Sequence, residues 1–323
     1  MSTPFDESKL SRRDFLRLSL GGMTVTFLLP ACDLGSRDAS PDDRTPILWV
    51  EGGVCTGCAC SLLGSPAPTA ETLIPEVRLE FQETLMEGFG AQAVDALLAM
   101  ATAHAGKYVL IVDGAIALGP AAGLTTVGAD SNLTDYTAEA LVVSLAARAA
   151  SVVALGTCAS FGGIAASRPG DLAYGSLAEA IGRAPLRIPG CPPNPAWVTS
   201  VLAALLRGEP IALDVLGRPT MFFGKSIHDL CPRRESFENR DFAAAPGDAT
   251  RCLFQVGCKG REARGDCPSR LWQGRSYCIK ANHPCIGCTA PGFPDARATV
   301  DGVPVEAEGQ AMAPFYGKRE VLP

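Results

Sequence analysis

Between His228 and Cys288, a pattern of eight potential soft-metal ligands runs through 61 residues: His228, Cys231, Cys252, Cys258, Cys267, Cys278, Cys285 and Cys288. Glycine and proline punctuate the same stretch, and hydrophobic periodicity fades beyond Leu213. A segment so short and so broken buries little conventional core, so something besides apolar packing has to organise it. Thiolates do this by binding metal, because the binding free energy then becomes folding free energy. Soft sulfur ligands select zinc, copper(I) or iron-sulfur. Disulfides are the alternative that spacing alone leaves open. The whole chain has 13 cysteines against three histidines (His104, His228 and His283), so any metal sites rest mainly on sulfur.

The preceding half has a different grammar. From Thr45 to about Ala212, short apolar runs alternate with helical stretches, the pattern of βαβ units around a largely parallel sheet. Strands are predicted over 47–50, 77–81, 108–112, 152–155 and 186–188, and helices over 91–103, 137–149 and 195–207. In open α/β sheets ligands gather at the carboxyl ends of strands. Three of these strands run directly into cysteine, at Cys55 and Cys58, at Cys158 and at Cys191. Four thiols from three loops match the ligand count of a 4Fe-4S cluster, with neighbouring glycines allowing close backbone approach. They match a tetrahedral zinc site equally well, and Cys-x2-Cys does not separate the two.

The first thirty residues read as an address. Ser11-Arg12-Arg13-Asp14-Phe15-Leu16-Arg17 resembles the twin-arginine export motif, and the apolar stretch from Leu18 to Leu29 is shorter than the roughly 20 residues a spanning helix needs. That route carries proteins already folded and loaded with cofactor, which suits cytoplasmic metal insertion. Leu29-Pro30-Ala31-Cys32 looks like a lipobox, making Cys32 a candidate for lipidation, and residues 32–45 read as a tether. No later stretch is long and apolar enough to span a membrane, so no transmembrane helix is expected in the mature chain. A net charge of -6 and the absence of a long Lys/Arg run argue against nucleic acid as a partner.

Taken together the motifs resemble the small subunit of nickel-iron hydrogenases, from roughly Pro46 to Asp295. The resemblance rests on Cys55-Thr56-Gly57-Cys58, the run Leu79 to Met86, Gly156-Thr157-Cys158 through Gly163, Ile188-Pro189-Gly190-Cys191-Pro192-Pro193, Ile227-His228-Asp229-Leu230-Cys231-Pro232, Gly257-Cys258-Lys259-Gly260 and His283-Pro284-Cys285-Ile286-Gly287-Cys288. It implies an α/β fold: a flavodoxin-like parallel-sheet domain over 46–212 followed by a mostly irregular iron-sulfur domain over 213–323. It implies three clusters: a proximal 4Fe-4S on Cys55, Cys58, Cys158 and Cys191, a distal 4Fe-4S on His228, Cys231, Cys252 and Cys258, and a medial cluster on Cys267, Cys285 and Cys288. It implies that the nickel-iron site lies on a separate large subunit. The chain then passes electrons from H2 oxidation to an external acceptor, a cytochrome or a membrane quinone-linked one, in the periplasm, with Cys32 the candidate lipid anchor.

The chain departs from that family's pattern at three places. Many members carry proline where this chain has Cys278, and a fourth thiolate there predicts a medial 4Fe-4S rather than 3Fe-4S cluster, as in nickel-iron-selenium enzymes. Oxygen-tolerant relatives add cysteines at the positions of Gly57 and Gly163, which implies an ordinary proximal cluster here. Cys60 lies out of ligand register and reads as a small buried hydrophobe. His104 reads as a helix C-terminal dipole partner or a solvated side chain, and His283 as a hydrogen-bonding neighbour of the medial set. Glu51 fits either a proton path or a loop cap. The glycine runs match neither nucleotide-binding fingerprint. Three rivals remain: an electron carrier without a hydrogen-splitting partner, the quinone-site subunit of respiratory complex I, and a structural disulfide protein.

Overall fold

The computed structural model of the chain describes residues 44–69, 77–167, 173–294, 299–300 and 303–304. The export motif, Cys32 and its tether therefore lie outside the described residues. Five strands build the sheet: β1 (Pro46–Glu51), β2 (Arg78–Gln82), β3 (Val109–Asp113), β4 (Ser151–Leu155) and β5 (Leu186–Ile188). They pair in parallel in the order β2-β1-β3-β4-β5, the flavodoxin-like order that reverses between β1 and β3. Five helices matter for the sites: α1 (Gly57–Leu63), α2 (Gly90–Ala103), α3 (Ala138–Ala146), α4 (Gly156–Phe161) and α5 (Pro195–Arg207).

Alternating side chains send each strand's apolar residues to both faces. Leu48, Val50, Leu110, Val112 and Ala154 pack against Leu97 of α2 and Leu141 and Leu145 of α3. Ile47, Trp49, Ile111, Val153 and Leu155 pack against Leu62 of α1 and Trp197, Val201 and Leu202 of α5. Buried on both sides, the strands read as continuous apolar runs, as parallel strands do. Local chemistry sets the helix limits. Asn194 caps α5 by accepting from Ala196 N–H at 3.0 Å, Pro195 occupies its first turn, and Gly208 closes it at φ 65°.

Some expectations shift. The third helix ends at Ala146, three residues short of the predicted 149, because the chain then turns: Arg148 C=O accepts from Gly106 N–H and Ala150 N–H donates to Tyr108 C=O, delivering the backbone into β4. The segment after β4 is a helix rather than a loop, with Cys158 in its first turn. Two short antiparallel pairs, Ile116–Ala117 with Tyr174–Gly175 and Thr126–Ala129 with Asp135–Thr137, were not anticipated.

Beyond α5 the described regular structure shrinks to single helical turns such as Thr220–Phe223 and Arg234–Glu238. A small core of Ile227, Ala243, Leu253, Ala263, Ile279 and Cys285 holds this part together. Directed hydrogen bonds tie it to the sheet domain: Trp197 Nε1 donates to Asp266 Oδ1 at 2.6 Å, Asn194 Nδ2 to the Arg270 carbonyl at 2.7 Å, and Trp272 Nε1 to Ser61 Oγ at 3.2 Å. Among the described residues no helix is long and apolar enough to cross a membrane.

Candidate metal centres

The strand order brings three cysteine-bearing ends together. The β1–α1 loop carries Cys55 and Cys58, α4 begins with Cys158 two residues in, and Cys191 follows β5. Three of these thiols feel the charge of others in the set: Cys58 that of Cys158 and Cys55, Cys158 that of Cys191 and Cys55, Cys191 that of Cys55. Burial pushes the Cys158 thiol up to about 11 and raises Cys58 and Cys191 as well. Two glycines make the approach possible. A Cβ on Gly156, at φ +77°, would lie 2.6 Å from the Cys58 sulfur, and one on Gly163, at φ +53°, would lie 2.8 Å from the Cys158 sulfur.

Cys60 corrects its sequence reading. It is exposed, not buried, because α1 turns Ala59 and Leu62 toward α5 and its opposite face outward. Glu51 does not cap its own loop. Its carboxylate accepts from Gln82 Nε2 at 2.8 Å and Thr84 Oγ1 at 2.9 Å, and its backbone N–H donates to Glu83 Oε2 at 2.8 Å. Asp113, at the end of β3, is fully buried and faces the Cys58 thiol and the Trp49 indole without a well-formed hydrogen bond to either. Burial, then the Glu51 charge, raises Asp113 to about 7, and burial raises Glu83 to about 8. The sequence reading missed both acids; the signal for Asp113 was an acidic residue closing a fully apolar strand.

In the C-terminal part, His228, Cys231, Cys252 and Cys258 line one cavity enclosing about 340 Å³, its open mouth included. The Phe237 ring stands edge-on to the His228 imidazole at 4.6 Å and to Phe254 at 5.2 Å, and Phe254 lines the same cavity. Burial, then Arg261 and Arg234, holds the imidazole below its ordinary range, favouring the neutral form that binds metal. Cys267, Cys278, Cys285 and Cys288 are the third candidate set: Cys267 feels Cys288 and Cys278, and Cys285 feels Cys258 first, then Cys278 and Cys288. Burial lifts Cys288 to about 12 and Cys258 to about 11. His283 Nδ1 lies 2.9 Å from the carbonyl of Pro284.

The three sets touch in sequence. Cys288 feels the charge of Cys191, so the third set adjoins the first, and the Lys259 N–H, next to Cys258, donates to the Cys285 carbonyl at 2.8 Å, joining the third set to the second. Thr157 reinforces the first junction: its hydroxyl donates to the Cys288 carbonyl and accepts from Gly190 N–H at 2.8 Å. His104, by contrast, lies at the C-cap of α2 near Arg78 Nη2 and takes no part in any set.

The donor chemistry can be tested against an iron-sulfur group. All twelve described cysteines are free thiols, which leaves the disulfide alternative without a bridge among the described residues. A single zinc holds its sulfurs at about 2.3 Å. No three His, Cys, Asp or Glu side chains among the described residues converge on one ion. Neighbouring thiols that share charge without that convergence suit a group whose ligands sit on separate irons. Arg233 adds a second indication. Arg233 lines the distal cavity and is nine-tenths buried, and among the described residues its guanidinium donates only to neutral oxygens: the carbonyls of Asp248 (2.8 Å), Arg251 (3.0 Å) and Ile279 (3.1 Å), and Asn282 Oδ1. A buried cation without a carboxylate partner is costly unless another negative group lies beside it, and thiolate-bound iron is negative.

Comparison with known proteins identifies the family. Residues 223–300 match the family model described as the C-terminal part of NiFe/NiFeSe hydrogenase small subunits, and residues 55–205 match that of the 20 kDa subunit of NADH ubiquinone oxidoreductase. The chain is 36% identical to the small chain of a quinone-reactive Ni/Fe-hydrogenase of Wolinella succinogenes, over 90% of this chain and 83% of that one. It is 33% identical to the small subunit of a periplasmic NiFeSe hydrogenase of Desulfomicrobium baculatum, over 90% of this chain and 98% of the other. Among solved structures, the NiFeSe hydrogenase of Desulfovibrio vulgaris Hildenborough superposes with a TM-score of 0.76 at 30% identity, covering 86% of this chain and all of that one.

Proposed function

We infer, from the premise that this chain belongs to the family of nickel-iron and nickel-iron-selenium hydrogenase small subunits, that it relays electrons through three clusters. It is one subunit of a hydrogenase, pairs with a large subunit and carries iron-sulfur clusters, as its family does. The finer reading is that Cys55, Cys58, Cys158 and Cys191 hold a proximal 4Fe-4S cluster. Cys267, Cys278, Cys285 and Cys288 hold a medial 4Fe-4S cluster, and His228, Cys231, Cys252 and Cys258 a distal one. The observation that carries it is the pair of links between the sets, from the Thr157 hydroxyl to the Cys288 carbonyl and from the Lys259 N–H to the Cys285 carbonyl, which supports one path through all three. The match over 55–205 alone would also suit a complex I subunit, but the His228 to Cys288 array lies outside it and favours the hydrogenase reading.

When bound, such clusters supply one-electron carriage with little ligand movement. The chain's own residues do the rest. Cys55 and the exposed edge of its loop face outward, where the large subunit would cover them. Ile227, Leu253 and Ile279 pack around the distal and medial sulfurs and exclude water. We further propose working modules over 46–212 and 213–323, twin-arginine export to the periplasm, and lipidation of Cys32. The quinone-reactive relative supports a membrane quinone-linked acceptor over a soluble cytochrome. Iron analysis of the purified heterodimer tests the reading: about twelve irons per small subunit are expected from three cubanes. About four, or a chain purified without a nickel-bearing partner, would overturn it.

A further inference from the structure

Arg233 is the feature of the distal site that ligand counting leaves unexplained. Its side chain is nine-tenths buried, its four hydrogen bonds end on three carbonyls and one amide oxygen, and no carboxylate pairs with it among the described residues. The neighbouring arginines are placed differently: Arg234 is half exposed and pairs with Glu238 and Asp229, while Arg261 is exposed and lies over the Phe237 and Phe254 rings. Fixed by four acceptors, the Arg233 guanidinium cannot swing to solvent. Its backbone N–H also donates to the Cys231 sulfur at 3.4 Å, so the residue addresses the site with both main chain and charge.

Resting on the cluster reading above, we propose that Arg233 is the charge-compensating residue of the distal centre, holding the cluster in place and raising its reduction potential. Three thiolates and one neutral imidazole leave that site net negative, and reduction adds a further negative charge. A fixed cation in a low-dielectric setting stabilises the more negative state more strongly, so the reduced form gains. The same attraction supplies the counter-charge that the buried guanidinium lacks within the protein. Arg233 thereby favours electrons arriving at the outer end of the relay, and His228, replacing a thiolate, acts in the same direction.

Redox titration of the purified heterodimer, followed by electron paramagnetic resonance, tests this with two variants. R233Q keeps hydrogen-bond donors but no charge; R233K keeps charge but not the fork. We expect R233Q to lower the distal couple by about tenfold in its equilibrium ratio, about 59 mV for one electron, with smaller shifts at the other two centres, and R233K to restore most of the difference. Loss of four irons in R233Q but not in R233K equally supports a requirement for the charge. An unchanged distal potential in iron-replete R233Q, or identical behaviour of both variants, including loss of the cluster in each, would reduce Arg233 to a structural role and overturn the proposal. If the unsubstituted heterodimer has no distal cluster signal, the underlying three-cluster reading fails first, an outcome separable from all the others.

Discussion

Gly163 shows how little room a ligand sulfur tolerates. A methyl group there meets the Cys158 sulfur at 2.8 Å, and the φ of +53° disfavours any side chain. G163A is therefore expected to drop the iron content by about four per small subunit, the loss of one cubane. G57A, whose Cβ would sit at 3.2 Å from the Cys55 sulfur at an ordinary φ, should retain it, and metal analysis of the two variants distinguishes them. Glu83 makes a pH-dependent prediction. Burial raises its carboxyl from 4.5 to about 8, so folding favours the neutral form. That contribution is fully present below about pH 4.5 and is lost as pH rises through 8. E83Q should flatten the fall in thermal midpoint between pH 5 and pH 9; a fall as steep as that of the unsubstituted complex would show that Glu83 does not titrate in this range.

Helix α5 illustrates what a sequence can announce. Asn-Pro at its start, an apolar stripe of Trp197, Val198, Val201 and Leu202, and Gly208 at its end determine both limits locally, and the predicted span matches the observed one. The strands were equally legible, because two-sided burial writes itself as unbroken apolar runs. Helix α4 was not, since Gly156-Thr157-Cys158 looks like a loop until the positive φ of Gly156 is seen turning the chain directly into a helix beneath Cys58. Nor could spacing reveal the burial of Asp113 or Arg233, which depends on elements remote in sequence closing over them. The grouping of cysteines is visible in the sequence itself, and their assignment to sets follows from the family resemblance, whereas the outward turn of Cys60 depends on which face of α1 meets α5. Trp197 carries a further prediction at this level. W197F keeps the ring packing on Phe223 at 4.9 Å but deletes the bond to Asp266, and should cost about 1–3 kcal/mol in denaturant titration. A midpoint unchanged within error would mean that α5 and the cluster segment hold together without that bond.

The sheet domain and the cluster segment differ in what keeps them folded. The sheet is covered on both faces by extensive apolar layers, so it carries its own core. Residues 225–288 have short helical turns, a few isolated bridges and a small core that includes one of the proposed ligands, Cys285, itself. On the three-cluster proposal, ligation stands in for packing in that segment, and its stability is linked to metal by mass action. Cys278 makes the linkage specific: Cys267, Cys285 and Cys288 all feel its charge, which supports its place as the fourth sulfur of the proposed medial set. C278S should convert that centre to a three-iron form, giving a 3Fe-4S signal in the oxidised protein that the unsubstituted chain lacks. The same signal in the unsubstituted chain would remove Cys278 from the ligand set. Removing all iron by chelation under anaerobic, reducing conditions extends the argument. Amide exchange should rise sharply across 225–288 while β1, β3 and β4 remain protected, because only the first of these regions has lost what organised it. Uniform exchange across both would show instead that the Trp197, Asn194 and Trp272 bonds make the two parts one cooperative unit, with the clusters supporting the sheet as much as the segment that binds them.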